Sequence, residues 1–287
     1  MRKHLLLPVF LLLGCSAFGQ KETATTVTYD LAEALSKKLV SLDIRSMGGH
    51  QGECLKIVCR NLRGRSLRLR VAQGQLLEPI DSSQQTLVVA EARDWAVSAK
   101  DPAEVVLRTF CTQAGDFSPT GGSSFALGVL AAENLRRLLQ FLLEKNKSGS
   151  DDAQNAVWCL TNGHALGSIG DPELVKFTAD LLGKQPPGYT IKYHTAPPQP
   201  GERAELGKAL VVEGNYRFTL ERAEKLSLRL YDAAGRLIKV LRKDELMQAG
   251  DYRSGLHLEV YNLQPGRYFV RLEKKNQVLV KEIEVEF

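Results

Sequence analysis

The stretch PGRYFVRLEKKNQVLVKEIEVEF, residues 265–287, decides how the C-terminal part of the chain folds. YFVRLE and VLVKEIEVEF read as two strands joined at the turn KKNQ. Working outward, Tyr216, Phe218 and Leu220 alternate with polar residues, and so do Leu226, Leu228 and Leu230. YDAAGRLIKVL (231–241) is a strand, a glycine turn and a strand, and MQAGDYRSGLHLEVYNLQPG supplies two further turns. Short strands at this spacing, with turn residues between them, predict a small β-sandwich of immunoglobulin-like type over residues 207–287.

Upstream lies PPGYTIKYHTAPPQPGE, which holds five of the chain's eleven prolines. Residues 196–206 read as a semi-rigid linker, because proline fixes its own backbone and extends its neighbour. Residues 20–195 then form a first domain. VTYDLAEALSKKLV (27–40) carries Leu31, Leu35 and Leu39 at helical spacing. Strand patterns follow in ECLKIVCRN, SLRLRVA, TLVVAEA, DWAVSA and EVVLRTFC, with NLRGR as a hairpin turn between the first two. They predict a sandwich-like region from about residue 41 to 112. A loop, SPTGGSS, leads to three helices: ENLRRLLQFLLEKN, AQNAVWCLTN and DPELVKFTADLLG. The last has Asp171 as N-cap, Pro172 at the first helical position and Gly183 past its end. The expected class is therefore mainly β with an α-helical subdomain: an N-terminal β-sandwich plus about three helices, then a C-terminal immunoglobulin-like β-sandwich.

The first residues, MRKHLLLPVFLLLGCSAFGQ, begin with Arg2 and Lys3, continue with an apolar run from Leu5 to Leu13 and end in small residues. This is the pattern of a secretory signal peptide over residues 1–19, cleaved near Gly19. LLGC offers a second reading, a lipoprotein box with Cys15 as the lipidated residue. No later stretch is apolar for long enough to span a bilayer as a helix. The formal net charge is +5, with 25% charged and 44% hydrophobic residues. Basic residues alternate with acidic ones along the strands, a pattern that does not track a phosphate backbone, so nucleic acid is not an expected partner.

The C-terminal residues resemble a known family. YDAAGRLIKVL, AGDY (249–252) and LQPGRYFVRLEKKNQVLVKEIEVE (263–286) are similar, in order, to the type A C-terminal sorting domain of type IX secretion. Asp232, Gly235, Arg236, Gly266, Tyr268, Arg271 and Leu272 match its motifs. Arg267 stands where a β-branched residue is usual, and the Asn-Pro often found at the domain entry is absent. The resemblance implies passage through the periplasm, recognition by outer-membrane secretion machinery, and delivery to the cell surface or the medium, often with removal of this domain and lipid-linked anchoring. The plainer alternative is a terminal immunoglobulin-like spacer or carbohydrate-binding module.

Three constellations in the first domain bear on chemistry. Phe110-Cys111 and Gln154-x-Ala156-x-Trp158 resemble the two halves of bacterial surface thioester domains. That resemblance implies that the Cys111 thiolate attacks the Gln154 carboxamide, ammonia leaves, and the internal thioester acylates an amine on a host surface. Ala153 stands where the family has Thr. The plainer reading gives Gln154 to a helix cap and Cys111 to a disulfide. Export permits disulfides, and Cys54, Cys59, Cys111 and Cys159 allow three complete pairings. Cys111 with Cys159 would staple helix to strand, and Cys54 with Cys59 would need a bulge between them. The third constellation is a hydrolase set of Cys111, His164 and Asp171, without a nucleophile elbow or HExxH. His50, His194 and His257 read as surface residues, and Trp95 and Trp158 as core anchors. No metal or cofactor is expected. The function expected is a secreted or surface, non-enzymatic protein whose first domain binds or adheres to an unknown surface or host ligand. A covalent thioester adhesin is the alternative, and a cysteine hydrolase ranks third.

Overall fold

The structure, a computed structural model, describes residues 27–49, 51–194, 199–203 and 206–287. The expected signal peptide, Cys15 and His50 lie outside the described residues.

The chain enters through β1 (Thr28–Asp30) and α1 (Leu31–Ser36). The helix is shorter than its leucine spacing predicts. Asp30 caps it through Oδ1 to the Ala32 N–H at 2.8 Å, and Lys38, at φ +52°, turns the backbone out of it. Leu31 and Ala34 are buried while Leu35 is exposed. Strands β2 (Val40–Ser46), β3 (Gln51–Asn61), β4 (Leu67–Val71), β5 (Gln75–Pro79), β6 (Leu87–Val89), β7 (Arg93–Val97), β8 (Ala103–Cys111) and β9 (Ser124–Leu130) follow.

The mainly β class with a helical part holds, and the strands of the first domain close on themselves. β2-β3-β8-β6-β5-β9 form a barrel, and β1-β4-β7 form a three-stranded sheet packed beside it. The hairpin expected at NLRGR is absent: β3 pairs with β2 and β8, whereas β4 pairs with β1 and β7. Asn61 diverts the chain between them. Its Nδ2 donates to the Arg65 carbonyl at 2.8 Å and its Oδ1 accepts from the Arg63 N–H at 2.8 Å. Four strands of the first domain escape the sequence pattern: β1, inside the stretch read as helix, and β2, β5 and β9. β5 is short, and β9 buries only Phe125 along its length, yet β9 joins β5 to β2 and so closes the barrel.

β6 carries LVV because it is covered on both faces. Leu87 and Val89 point into the barrel core, while Val88 points at the helices. Those helices are α2 (Glu133–Glu144), α3 (Asp151–Asn162) and α4 (Pro172–Leu182), where the sequence predicts them. Leu135, Leu138, Leu139 and Leu142 form the buried stripe of α2. Ser150 caps α3, Asp171 caps α4, and Gly163 and Gly183 end these two helices in left-handed conformation. Trp158 leaves the helical cluster and inserts among the barrel residues.

The second unit is a sandwich of seven strands: β10 (Tyr189–Tyr193), β11 (Ala209–Leu220), β12 (Glu224–Asp232), β13 (Leu237–Met247), β14 (Gly250–Glu259), β15 (Arg267–Lys274) and β16 (Leu279–Glu286). One sheet has the order β10-β11-β14 and the other β13-β12-β15-β16. Val212, Phe218, Leu228, Leu230, Leu258, Val270 and Val285 are among the residues that fill the space between them. β10 precedes the proline-rich segment, so this sheet takes in a strand from upstream of residues 196–206. It also abuts the helical part. A Cβ at Gly167, in the 3-10 turn Leu166–Ser168, would meet Ile191 Cδ1 at 2.9 Å, so the residue there has no side chain. The connector is tied down as well: Ser118 N–H donates to the Glu202 carbonyl at 2.8 Å, and the Arg203 guanidinium lies 4.9 Å from the Phe117 ring centre.

Candidate functional site

The sorting-motif residues divide into a turn and a strand. Asp232 ends β12 and organises the turn to β13. Its Oδ1 accepts from the Ala234 and Arg236 N–H groups at 3.0 and 2.9 Å, and its Oδ2 meets Arg236 Nε at 2.7 Å. The bond from the Arg236 N–H, foremost, holds the carboxyl below its ordinary range. Gly235 has φ +77°, which only glycine adopts without strain. Asp-x-x-Gly therefore specifies the turn, and the turn presents Arg236, whose side chain is 80% exposed.

Gly266, Tyr268, Arg271 and Leu272 lie at or in β15. The Gly266 N–H donates to the Phe287 carbonyl at 2.8 Å, and Tyr268 stacks on Phe287 with ring centres 5.1 Å apart. Tyr268 Oη donates to the Gln264 carbonyl four residues upstream at 2.8 Å. Leu272 is core. Arg271 lies on the outer face, with Nε 2.6 Å from Glu282 Oε2 and its guanidinium over the rings of Tyr231 and Phe269.

The same turn device recurs in AGDY: Tyr252 Oη donates to the Gln248 carbonyl, again four residues upstream, at 2.8 Å. Each Gly-x-Tyr thus pins the bend that starts a strand, as the tyrosine corner does in immunoglobulin-like domains. Reading G-x-Y as a structural corner would have revealed the pair in the sequence. A buried ion pair had no such signal: Glu273, 5% exposed, accepts from Arg229 Nη1 at 2.6 Å and from Tyr231 Oη at 2.9 Å. Glu286 N–H donates to Tyr189 Oη at 2.9 Å, which fastens the end of β16 to β10.

In the first domain Cys111 and Gln154 do meet, 43 positions apart in sequence, but through the main chain. The Cys111 N–H donates to Gln154 Oε1 at 3.1 Å, and Gln154 Nε2 donates to the Cys111 carbonyl at 2.8 Å. β3 begins at Gln51, opposite Phe110. The carboxamide takes up the Cys111 groups at the ladder's end, so Gln154 serves β8 and not its own helix, whose cap is Ser150. The Cys111 side chain faces the barrel core. Burial pushes its thiol well above the ordinary range, with the nearby Cys54 adding to the effect, so the sulfur stays protonated.

No disulfide joins the four described cysteines, all buried and free, which corrects the expectation of a bridge. The bulge expected near Cys54 exists, between Glu53 and Leu55, and turns Cys54 inward, where Sγ lies 2.9 Å from Thr109 Oγ1. Cys59 nevertheless lies on the order of 15 Å further along the same strand, beyond the reach of a disulfide. Cys111 belongs to the barrel core and Cys159 to the helical cluster, so that pair points into different cores. Burial raises the thiols of Cys59 and Cys159 to about 11 and also raises that of Cys54.

The hydrolase set is not assembled around a thiolate. Asp171 Oδ1 accepts from the Glu173 and Leu174 N–H groups, each at 2.9 Å, and Oδ2 pairs with Lys147. The His164 ring packs against Trp158, 5.6 Å between centres. His257 Nδ1 lies 3.3 Å from Glu213 Oε1 on the surface, and His194 is exposed beside the connector. Trp95 and Trp158 both pack on the barrel core.

Residues 213–286 match the family described as the secretion system C-terminal sorting domain. The segment is thus the type IX sorting domain that its residues resemble, and it marks the chain for export through the periplasm to the cell surface or the medium. Interaction with the secretion machinery follows from it. No curated protein matches the chain. Among solved structures, a β-glucosidase from Kluyveromyces marxianus aligns over 81% of this chain and 44% of its own, at 9% identity and a TM-score of 0.19. The chain thus spans less than half the length of that protein, and overlap so loose carries nothing about fold or activity. Among the described residues no helix is long and apolar enough to cross a membrane.

Proposed function

We propose that the chain is an exported, non-enzymatic binding protein, in which the barrel and its three outer helices adhere to a surface ligand and the C-terminal sandwich is the export address. The observation that carries the export part of this reading is the sorting-domain match over residues 213–286, in a sandwich with its own core between two sheets. Its Arg236 turn stands clear of the body, as a recognised feature must. The deep burial of every described thiol speaks against the cysteine-hydrolase reading, since a cysteine nucleophile needs an accessible thiolate.

Deleting residues 189–287 and fractionating the cells tests the address. Retention of the product in the periplasm is expected, and normal surface delivery refutes it. A thiol-directed activity probe tests the cysteine-hydrolase alternative in the folded protein, where labelling of Cys111 would revive it.

The covalent reading keeps one observation in its favour, the contact between Cys111 and Gln154. In that reaction the S–C bond forms, the C–N bond of the carboxamide breaks, and ammonia leaves with the thiol proton. Intact mass of the unreduced protein decides it: a deficit of one ammonia establishes the thioester, and the full mass removes it.

A further inference from the structure

We propose that the loop between β3 and β4, with β1 beside it, is a binding site for an acidic polysaccharide. This rests on the binding reading above and names its ligand class.

Residues Tyr29, Leu39, Arg63, Gly64, Arg65 and Leu67 line a cleft of about 490 Å³. Tyr29, Leu39 and Leu67 are its half-buried or buried members, while Arg63, Gly64 and Arg65 are exposed on the loop. The loop is held in shape by the two Asn61 side-chain bonds and by Arg63 Nη2 donating to the Lys37 carbonyl at 3.3 Å. Arg60, near the end of β3, Arg68, on the outer face of β4, and Lys38, where α1 ends, are exposed near it in the chain.

These cations are not used up by the fold. Among the described residues, no carboxylate lies in ion-pair range of Lys38, Arg60, Arg63, Arg65 or Arg68. Nearby, Lys37 is paired with Glu33, Arg45 with Asp43, Lys56 with Glu104 and Arg70 with Asp94. A cluster of unpaired guanidinium groups repels itself and is tolerated where an anion is to be met. Guanidinium donors arranged in a plane suit carboxylate and sulfate groups, which accept two parallel hydrogen bonds. The apolar wall, with one tyrosine ring, suits the C–H face of a sugar.

Three features favour a glycan over other polyanions. The cleft is concave, where a membrane surface is flat. The cleft offers a single aromatic ring, whereas a single-stranded nucleic acid asks for several stacking platforms. The chain is exported to the cell surface or the medium, so its ligand is an extracellular one. Leu62, 55% exposed beside the arginines, is the one feature that suits a lipid surface, and the experiment includes that outcome.

Full-length protein is passed over immobilised alginate, dextran sulfate and uncharged dextran, and is mixed with phosphatidylglycerol vesicles. The comparison variants are Arg63→Gln/Arg65→Gln and, as a control, Lys239→Gln/Lys243→Gln, which removes exposed cations of β13. Wild type is expected to bind both acidic glycans and not dextran, with release by salt. The loop variant is expected to bind them at least about tenfold more weakly, and the control as wild type. Failure of wild type to bind either acidic glycan overturns the proposal, as does glycan binding that the loop variant leaves intact. Tighter binding to the vesicles than to either glycan makes a lipid surface the occupant and also overturns it. Protein that ignores both glycans and still adheres to intact cells sinks the glycan site and leaves the binding reading standing, whereas protein that adheres to nothing sinks both.

Discussion

Replacing Gln154 with leucine tests whether its carboxamide completes the end of β8. Gln154 is 2% exposed, and its two bonds reach main-chain groups of Cys111, itself fully buried. Leucine has similar volume and no polar atom, so the Cys111 N–H and C=O are left without partners away from water. Each stranded group costs about 1–3 kcal/mol, and the apolar side chain returns roughly 1 kcal/mol. The net loss is about 1–5 kcal/mol. Trp95 and Trp158 are the two tryptophans of the chain and both pack on the barrel, so their fluorescence in a urea titration reports this part alone. With a slope of about 2 kcal/mol per molar urea, the midpoint falls by roughly 0.5–2.5 M. Cys111→Ala keeps the main-chain groups bonded and removes only the thiol, so it costs about 1 kcal/mol. A midpoint shift below about 0.3 M for Gln154→Leu at unchanged slope, or an equal or larger loss for Cys111→Ala, refutes the role assigned to the carboxamide.

Three further outcomes follow from the geometry. The buried thiols of Cys54, Cys59, Cys111 and Cys159 react with a thiol reagent only after denaturation, and a mass two hydrogens low in the exported protein would establish the bridge that the fold does not provide. Asp171 is held below its ordinary range first by Lys147 and then by the Leu174 N–H. Its contribution is therefore complete above the unfolded carboxyl value, near 4, and is lost as pH falls through the folded value below it. The acid limb of the stability curve should be shallower in Asp171→Asn, and an unchanged limb contradicts the assignment. In the sandwich, Asp232→Ala should lower the thermal midpoint by untying its turn, whereas Arg236→Ala should leave the midpoint unchanged and reduce export. Export by Arg236→Ala at the wild-type level removes Arg236 from recognition.

Some elements could be read from local pattern alone. The three helices α2 to α4, with Asp171, Pro172 and Gly183 marking the ends of the last, depend on neighbours within a few residues, so their limits are visible in the chain. The alternation from Tyr216 to Leu230 and the Asp232 turn are local in the same way, and the sorting motif was legible for that reason. Within the candidate sites, the proximity of Cys111 to Gln154 was legible from motif order. The atoms in contact were not, since a motif does not say whether a side chain reaches a sulfur or a main chain.

Local pattern alone reveals a compact sorting sandwich over residues 207–287 and, before it, a β-rich part with three helices. That the first β region closes into a barrel is visible only in the fold, because closure depends on β9, whose weakly alternating, little-buried residues become a strand only between β5 and β2. The fold alone shows that β10 enters the sandwich across the proline-rich segment and that the cysteines point into separate cores. Periodicity reports how a residue relates to its neighbours in the chain. Strand order, sheet membership and the reach between two sulfurs depend on residues far along it, which meet only when buried main-chain groups find their hydrogen-bond partners.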